Sequence, residues 1–132
     1  YGLSVERVAI NLDDASIPDN RGNQPVDQPI SSNGAPAYFA TIPVKSVVSA
    51  IQQAGVPAEI SYTAGTFVCN HLLYRVLEDS SLSHPGRQGG FIHVPFLPEQ
   101  VIRRSHTPSM ALETITAGLE AAVGEIIRDF SR

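Results

Sequence analysis

Ala58-Glu59-Ile60-Ser61-Tyr62-Thr63-Ala64-Gly65-Thr66-Phe67-Val68-Cys69-Asn70-His71 is the stretch on which the fold turns. Ala58 to Tyr62 reads as a strand, and Ala64-Gly65 as a short turn. A helix then opens and is expected over about Val68 to Glu78, with Leu72, Leu73, Val76 and Leu77 as its buried face. Beyond a polar loop from Asp79 to Gln88, Gly90-Phe91-Ile92-His93-Val94 reads as the next strand. Pro95 and Pro98 stop it, because proline cannot donate to a strand ladder.

The same alternation extends outward. Upstream, a helix is expected from about Pro43 to Ala54, with Thr41 as a candidate cap and Gly55 as its end. Val44, Val47, Val48 and Ile51 fall at i, i+3, i+4 and i+7 and make one apolar face. Arg7-Val8-Ala9-Ile10-Asn11-Leu12 reads as the first strand. Asp13 to Ala37 holds Pro18, Pro25, Pro29 and Pro36 with Gly22 and Gly34, so a long ordered loop is expected. Loops of that length in compact domains usually serve function or an interface. Downstream, a helix is expected from about Ser109 to Phe130. Leu112, Ile115, Leu119, Ala122, Val123, Ile126 and Phe130 form its stripe. Strand and helix alternate three times, which predicts an α/β layered domain with a mainly parallel sheet. The 132 residues suit a single domain.

Composition narrows the function. The chain is 42% hydrophobic and 17% charged, as in ordinary globular proteins. Its net charge of -4 and scattered basic residues (Arg103-Arg104 is the densest pair) argue against nucleic acid and anionic membrane as partners. No apolar run approaches the roughly 18 residues that span a bilayer. No signal-peptide pattern opens the chain. The single cysteine, Cys69, excludes an intramolecular disulfide and fits a reducing compartment, so a cytoplasmic location is expected. One cysteine and four dispersed histidines lack the paired spacing of zinc ligands, and Gly89-Gly90 alone is too weak for a phosphate loop.

Cys69 stands at the opening of a helix, just after a strand and a glycine turn. Helix N-termini stabilise anions, which favours a thiolate nucleophile. Their backbone N–H groups can also serve an oxyanion. The commoner fate of a lone cysteine is a small buried core residue. His93 lies at the C-terminal end of its expected strand. In a right-handed βαβ arrangement it shares a sheet edge with Cys69, and open α/β sheets place ligands at that edge. A Cys–His pair is the basis of thiol nucleophilic catalysis. His71 is a competing base, but i and i+2 on a helix face different ways. His84 and His106 lie in polar loops. Glu6, Asp13, Asp14 and Glu99 are all candidates to orient an imidazole, and the residues alone do not choose among them. For Glu6 the ordinary fate is a solvated carboxylate beside Arg7.

Several blocks carry a family resemblance. Glu6-Arg7-Val8-Ala9-Ile10-Asn11, Ile17-Pro18-Asp19-Asn20 and Gly22-Asn23-Gln24-Pro25 are the first three. Ala64-Gly65-Thr66-Phe67-Val68-Cys69-Asn70-His71 and Gly89 to Gln100 complete the set. In order and spacing they resemble the pyrrolidone-carboxylate peptidases, or type I pyroglutamyl peptidases, over almost the whole chain. The resemblance implies a three-layer α/β/α fold and a Glu–Cys–His triad on Glu6, Cys69 and His93. It implies hydrolysis, through an acyl-enzyme, of the amide after an N-terminal 5-oxoproline. Ile17, Phe67 and Val68 match positions lining the pyroglutamyl pocket, although core packing also suits such residues. The implied partners are peptides with N-terminal pyroglutamate and further copies of the chain in a homotetramer. No cofactor or metal is implied.

Family members carry a segment before the Glu block that has an early strand, a Gly-Phe-Asp-Pro-Phe-type loop and a Gly-Gly-Arg stretch. Gly2-Leu3-Ser4-Val5 stands at the end of that place here. The chain, which begins at Tyr1, is therefore expected to be an N-terminally truncated, C-terminal portion of the family fold, lacking the N-terminal strands. The competing reading is a catalytically inactive remnant or interaction module that retains the fold. A cysteine hydrolase for another small cyclic amide is a weaker third.

Overall fold

A computed structural model describes residues 1–132. In chain order the elements are β1 (Leu3–Glu6), β2 (Val8–Ile10), β3 (Ala37–Phe39), α1 (Val44–Gln53) and β4 (Ala58–Ser61). They are followed by α2 (Val68–Ser83), β5 (Ile92–His93), a 3-10 turn (Pro98–Gln100) and α3 (Leu112–Phe130). The α/β character expected from the alternation holds, and the sheet is mixed. The residues cluster into two compact units. One comprises Tyr1–Val5, Ile42–Ser61 and Ile92–Arg132, and the other Glu6–Thr41 and Tyr62–Phe91.

The first unit holds a three-stranded sheet of order β4-β1-β5. β1 pairs antiparallel with β5, with Ser4 opposite His93 and Val5 opposite Ile92. β1 thus intervenes between β4 and β5, which a simple βαβ reading would have made neighbours. β5 is shorter than expected because Gly89 and Gly90 precede it and Pro95 follows. α1 buries Val44, Val47, Val48 and Ile51, the four positions of the expected face. Gly55 follows with φ +84°, a left-handed conformation that a side chain rarely adopts. α1 packs on α3 and β4. α3 buries Ile115, Gly118, Ala122 and Glu125, whereas Leu112, Val123 and Phe130 of the expected stripe are exposed. Gly118 sets that rotation. A Cβ there would stand 2.6 Å from Leu3 Cδ1 and 3.2 Å from Val56 Cγ1, so the helix approaches the core through its bare backbone. Glu125, though buried, is held by Arg128 at 2.8 Å.

The second unit is built differently. The expected strand Arg7–Leu12 is shorter, and β1 is a separate strand upstream of it. β2 starts only at Val8 and pairs antiparallel with β3 through Val8–Phe39, Ala9–Tyr38 and Ile10–Ala37. Arg7 sends its guanidinium over the Phe39 ring, 4.8 Å from the centroid, and donates to Ala40 O. α2 packs on β2 and β3 and continues to Ser83, beyond the expected end at Glu78. Ala9, Ile30, Leu73, Tyr74 and Leu77 form the core, with Tyr38 and Phe91 against it. The Tyr74 hydroxyl donates to Ala35 O at 2.7 Å, and burial pushes its pKa up from 10.0. A Cβ at Gly34 would meet that hydroxyl.

Ile30 and Ala15 anchor the Asp13–Ala37 loop in the core, and polar contacts order the rest of it. Asn11 Oδ1 accepts from the N–H groups of Ile30 and Ser31, and its Nδ2 donates to Ser31 O. Asp13 and Gln28 exchange backbone hydrogen bonds at 2.7 and 2.9 Å. Asp27 is left-handed (φ 48°), and its N–H donates to Asp14 Oδ1.

Candidate active site

Gly65, with φ +79°, turns the chain into α2. Phe67 is the N-cap residue, and no side chain caps the helix. Cys69 is the second residue of α2 and is half-buried. Its neighbour Asn70 is fully buried and fixes that turn on β2. Asn70 Oδ1 accepts from the Ile10 N–H at 2.9 Å, and Nδ2 donates to Ile10 O and Leu12 O. A side-chain amide here acts as an extra residue of the strand ladder.

Glu6 ends β1 and is only 2% exposed, so the solvated fate expected of such a residue does not apply. Its backbone N–H donates to Phe91 O at 2.9 Å. A carboxylate this deeply buried is seldom found without a specific role or partner. Glu6 and Cys69 lie in the second unit. His93 ends β5 in the first unit, is exposed, and opens on a cavity of about 460 Å³ lined also by Ser4, Phe96 and Gln100.

Phe67 and Val68 come together on a cavity of about 530 Å³ in the second unit. Its other walls include Asp13, Asp19, Leu72 and Arg75. Ile17 is 61% exposed and does not line it. Asp13, one of the candidates to orient a catalytic imidazole, is engaged by His71, with Nδ1 2.8 Å from Oδ2 and 3.1 Å from Oδ1. This pair and the Asn70 clamp were not expected from the sequence. Asp13 and His71 are far apart in the chain and give no local signal. Asn70 gave one, since a buried asparagine in a first helical turn commonly binds backbone. Asp14 binds the Asp27 N–H, and Glu99 is exposed on the 3-10 turn. No three His, Cys, Asp or Glu side chains group as metal ligands would, and no helix is long and apolar enough to cross a membrane.

An α/β chain with a half-buried cysteine in the uncapped first turn of a helix has the build of the cysteine-dependent hydrolase class. Comparison with known proteins is more specific. The family model described as pyroglutamyl peptidase matches residues 1–129, and the chain belongs to that family. The pyrrolidone-carboxylate peptidase of Staphylococcus carnosus is 57% identical over 129 residues, covering 98% of this chain and 61% of that protein. Pyrrolidone-carboxylate peptidase 2 of Photorhabdus laumondii is 54% identical, covering 96% of this chain and 58% of that protein. The crystal structure of pyroglutamyl peptidase I from Bacillus amyloliquefaciens superposes with TM-score 0.93 at 49% identity, over 96% of this chain and 61% of that one. Pyrrolidone carboxyl peptidase from Thermococcus litoralis superposes with TM-score 0.95 at 39% identity, over 98% and 61%. The chain thus spans about three fifths of the length of the curated relatives it matches.

Proposed function

We propose that the chain carries the nucleophile and general base of a cysteine peptidase that hydrolyses the amide bond after an N-terminal pyroglutamyl residue. The observation that carries this reading is the family match over residues 1–129, with Cys69 in the first turn of an uncapped helix. Cys69 is the nucleophile, His93 its base, and Glu6 the carboxylate that orients the imidazole. Phe67, Val68 and Ile17 serve the pyroglutamyl ring.

In this scheme His93 takes the thiol proton and Cys69 Sγ attacks the scissile carbonyl carbon. Backbone N–H groups of the first turn of α2 stabilise the oxyanion. As the tetrahedral adduct collapses, the C–N bond breaks and His93 returns the proton to the leaving amine. The pyroglutamyl thioester remains. His93 then removes a proton from water, the hydroxide adds, and the C–S bond breaks to release pyroglutamate and the thiol. Burial of Glu6 supports its role, because a charged group held from water acts strongly on a neighbouring imidazolium. The single cysteine supports a cytoplasmic location. The exposed apolar side chains Val123, Ile127 and Phe130 on α3 support assembly into a homotetramer.

A fluorogenic pyroglutamyl amide tests the reading. Turnover is expected, iodoacetamide is expected to abolish it, and Cys69→Ala is expected to lower kcat by on the order of 10³-fold or more. Undiminished turnover in Cys69→Ala removes the nucleophile assignment. The second reading is a non-catalytic module that retains the family fold. No turnover by the 132 residues under conditions where a relative turns over would select it.

A further inference from the structure

The hydrogen-bonded contact between Asp13 and His71 takes no part in the reaction proposed above. We propose that His71 is a positioning residue: through Asp13 it fastens the loop of residues 13–28, which carries Ile17, to the first turn of the helix that carries Cys69. The inference rests on the pyroglutamyl-peptidase reading of that turn.

The geometry is local to one unit. His71 Nδ1 lies 2.8 Å from one carboxylate oxygen of Asp13 and 3.1 Å from the other. Asp13 is also the residue at which the loop closes, since its backbone exchanges hydrogen bonds with Gln28. The next residues continue the seam. The Asp14 N–H donates to Thr66 O at 2.8 Å, and Thr66 Oγ1 donates back to Asp14 O at 2.7 Å. The Ala15 N–H donates to Pro25 O. Ile17 follows directly, before a self-contained turn in which Asp19 accepts from the N–H groups of Arg21 and Asn23. His71 is thus the one helix side chain that grips the closing residue of the loop.

Two further observations give the pair a purpose in recognition. Asp13 and His71 line the same cavity as Phe67 and Val68. The pair is also partly exposed, with side-chain exposures of 16% for Asp13 and 43% for His71. Solvent-accessible polar contacts contribute little to global stability. Its loss is therefore expected to move the loop without unfolding the unit. Because i and i+2 positions diverge on a helix, His71 acts on the loop rather than on the thiol.

The test uses the full 132-residue chain and a pyroglutamyl aminocoumarin amide. For His71→Ala, KM is expected to rise about tenfold with kcat within about twofold, since a displaced pocket wall weakens binding more than chemistry. The rate of Cys69 alkylation by iodoacetamide is expected to stay unchanged. His71→Asn keeps a donor near the place of Nδ1 and is expected to restore KM. Hydrogen exchange at the Ala15 and Gln28 amides reads the loop without turnover. It is expected to speed up in His71→Ala and return in His71→Asn. Unchanged KM in His71→Ala, or failure of the asparagine to restore it, overturns the inference. If the unmodified chain does not hydrolyse the amide, the functional reading falls separately. The exchange rates then decide the loop, and unchanged rates overturn its fastening.

Discussion

The two compact units are held by different physics. In the first, α1, α3 and the β4-β1-β5 sheet meet through Leu3, Val5, Val47, Ile51, Ile115 and Ala122, all apolar and buried. In the second, a core of similar kind under α2 is joined by side-chain bonds to backbone. Asn11 bonds to the loop, Asn70 to the strand, and Thr66 to Asp14. Apolar burial supplies stability without direction, whereas hydrogen bonds to backbone fix position. The unit that carries Cys69 is the one with the more directional bonding.

The largest effect expected from breaking this contrast is in the first unit. Ile51→Ala empties a fully buried site and is expected to cost about 2–5 kcal/mol in denaturant unfolding. A cost below about 1 kcal/mol would show that apolar packing is not what holds that unit. A smaller loss is expected in the second unit from Asn70→Ala. It strips the partner of Ile10 N–H and of Leu12 O, whereas Ile10 O keeps the Leu12 N–H, and is expected to cost about 1–3 kcal/mol once the freed groups relax. A leucine at position 70 that proved neutral would erase the distinction between the units.

The smallest effect concerns Asp19, which is partly exposed. Its pKa is lowered from 3.8, first by the Asn23 N–H and then by that of Arg21. A carboxylate with a depressed folded pKa stabilises above its unfolded value and loses that contribution as pH falls through the folded one. The Arg21 and Asn23 amides are therefore expected to lose protection only below pH 3.8, as followed by NMR. Loss of protection between neutrality and pH 4 would assign the turn to another group (pH ~4 being the ordinary carboxylate range).

The same contrast explains what was legible in the sequence. Val44, Val47, Val48 and Ile51 announced their buried face because apolar periodicity is a local signal. The α3 face was read one position off because Gly118, which has no hydrophobic weight, makes the closest approach. The Arg7–Leu12 strand was read as continuous, whereas Arg7 is diverted to Phe39 and Ala40. Cys69 was placed correctly at a helix opening, because glycine turn and helical pattern lie beside it. The choice of Glu6 came from family resemblance, and its burial from the structure. Asp13 with His71 had no local sign, since contacts between distant segments leave no periodic trace.

Cys69 is the only sulfhydryl in these 132 residues, and it sits half-buried on an uncapped helix end. A peroxide that converts it to the sulfenic acid finds no second cysteine in the chain to trap the product as an internal disulfide. Recovery then depends on a thiol from outside these residues, and overoxidation to the sulfinic acid is irreversible. By the same count, one equivalent of an alkylating reagent consumed per 132-residue chain measures directly how many thiols remain reduced.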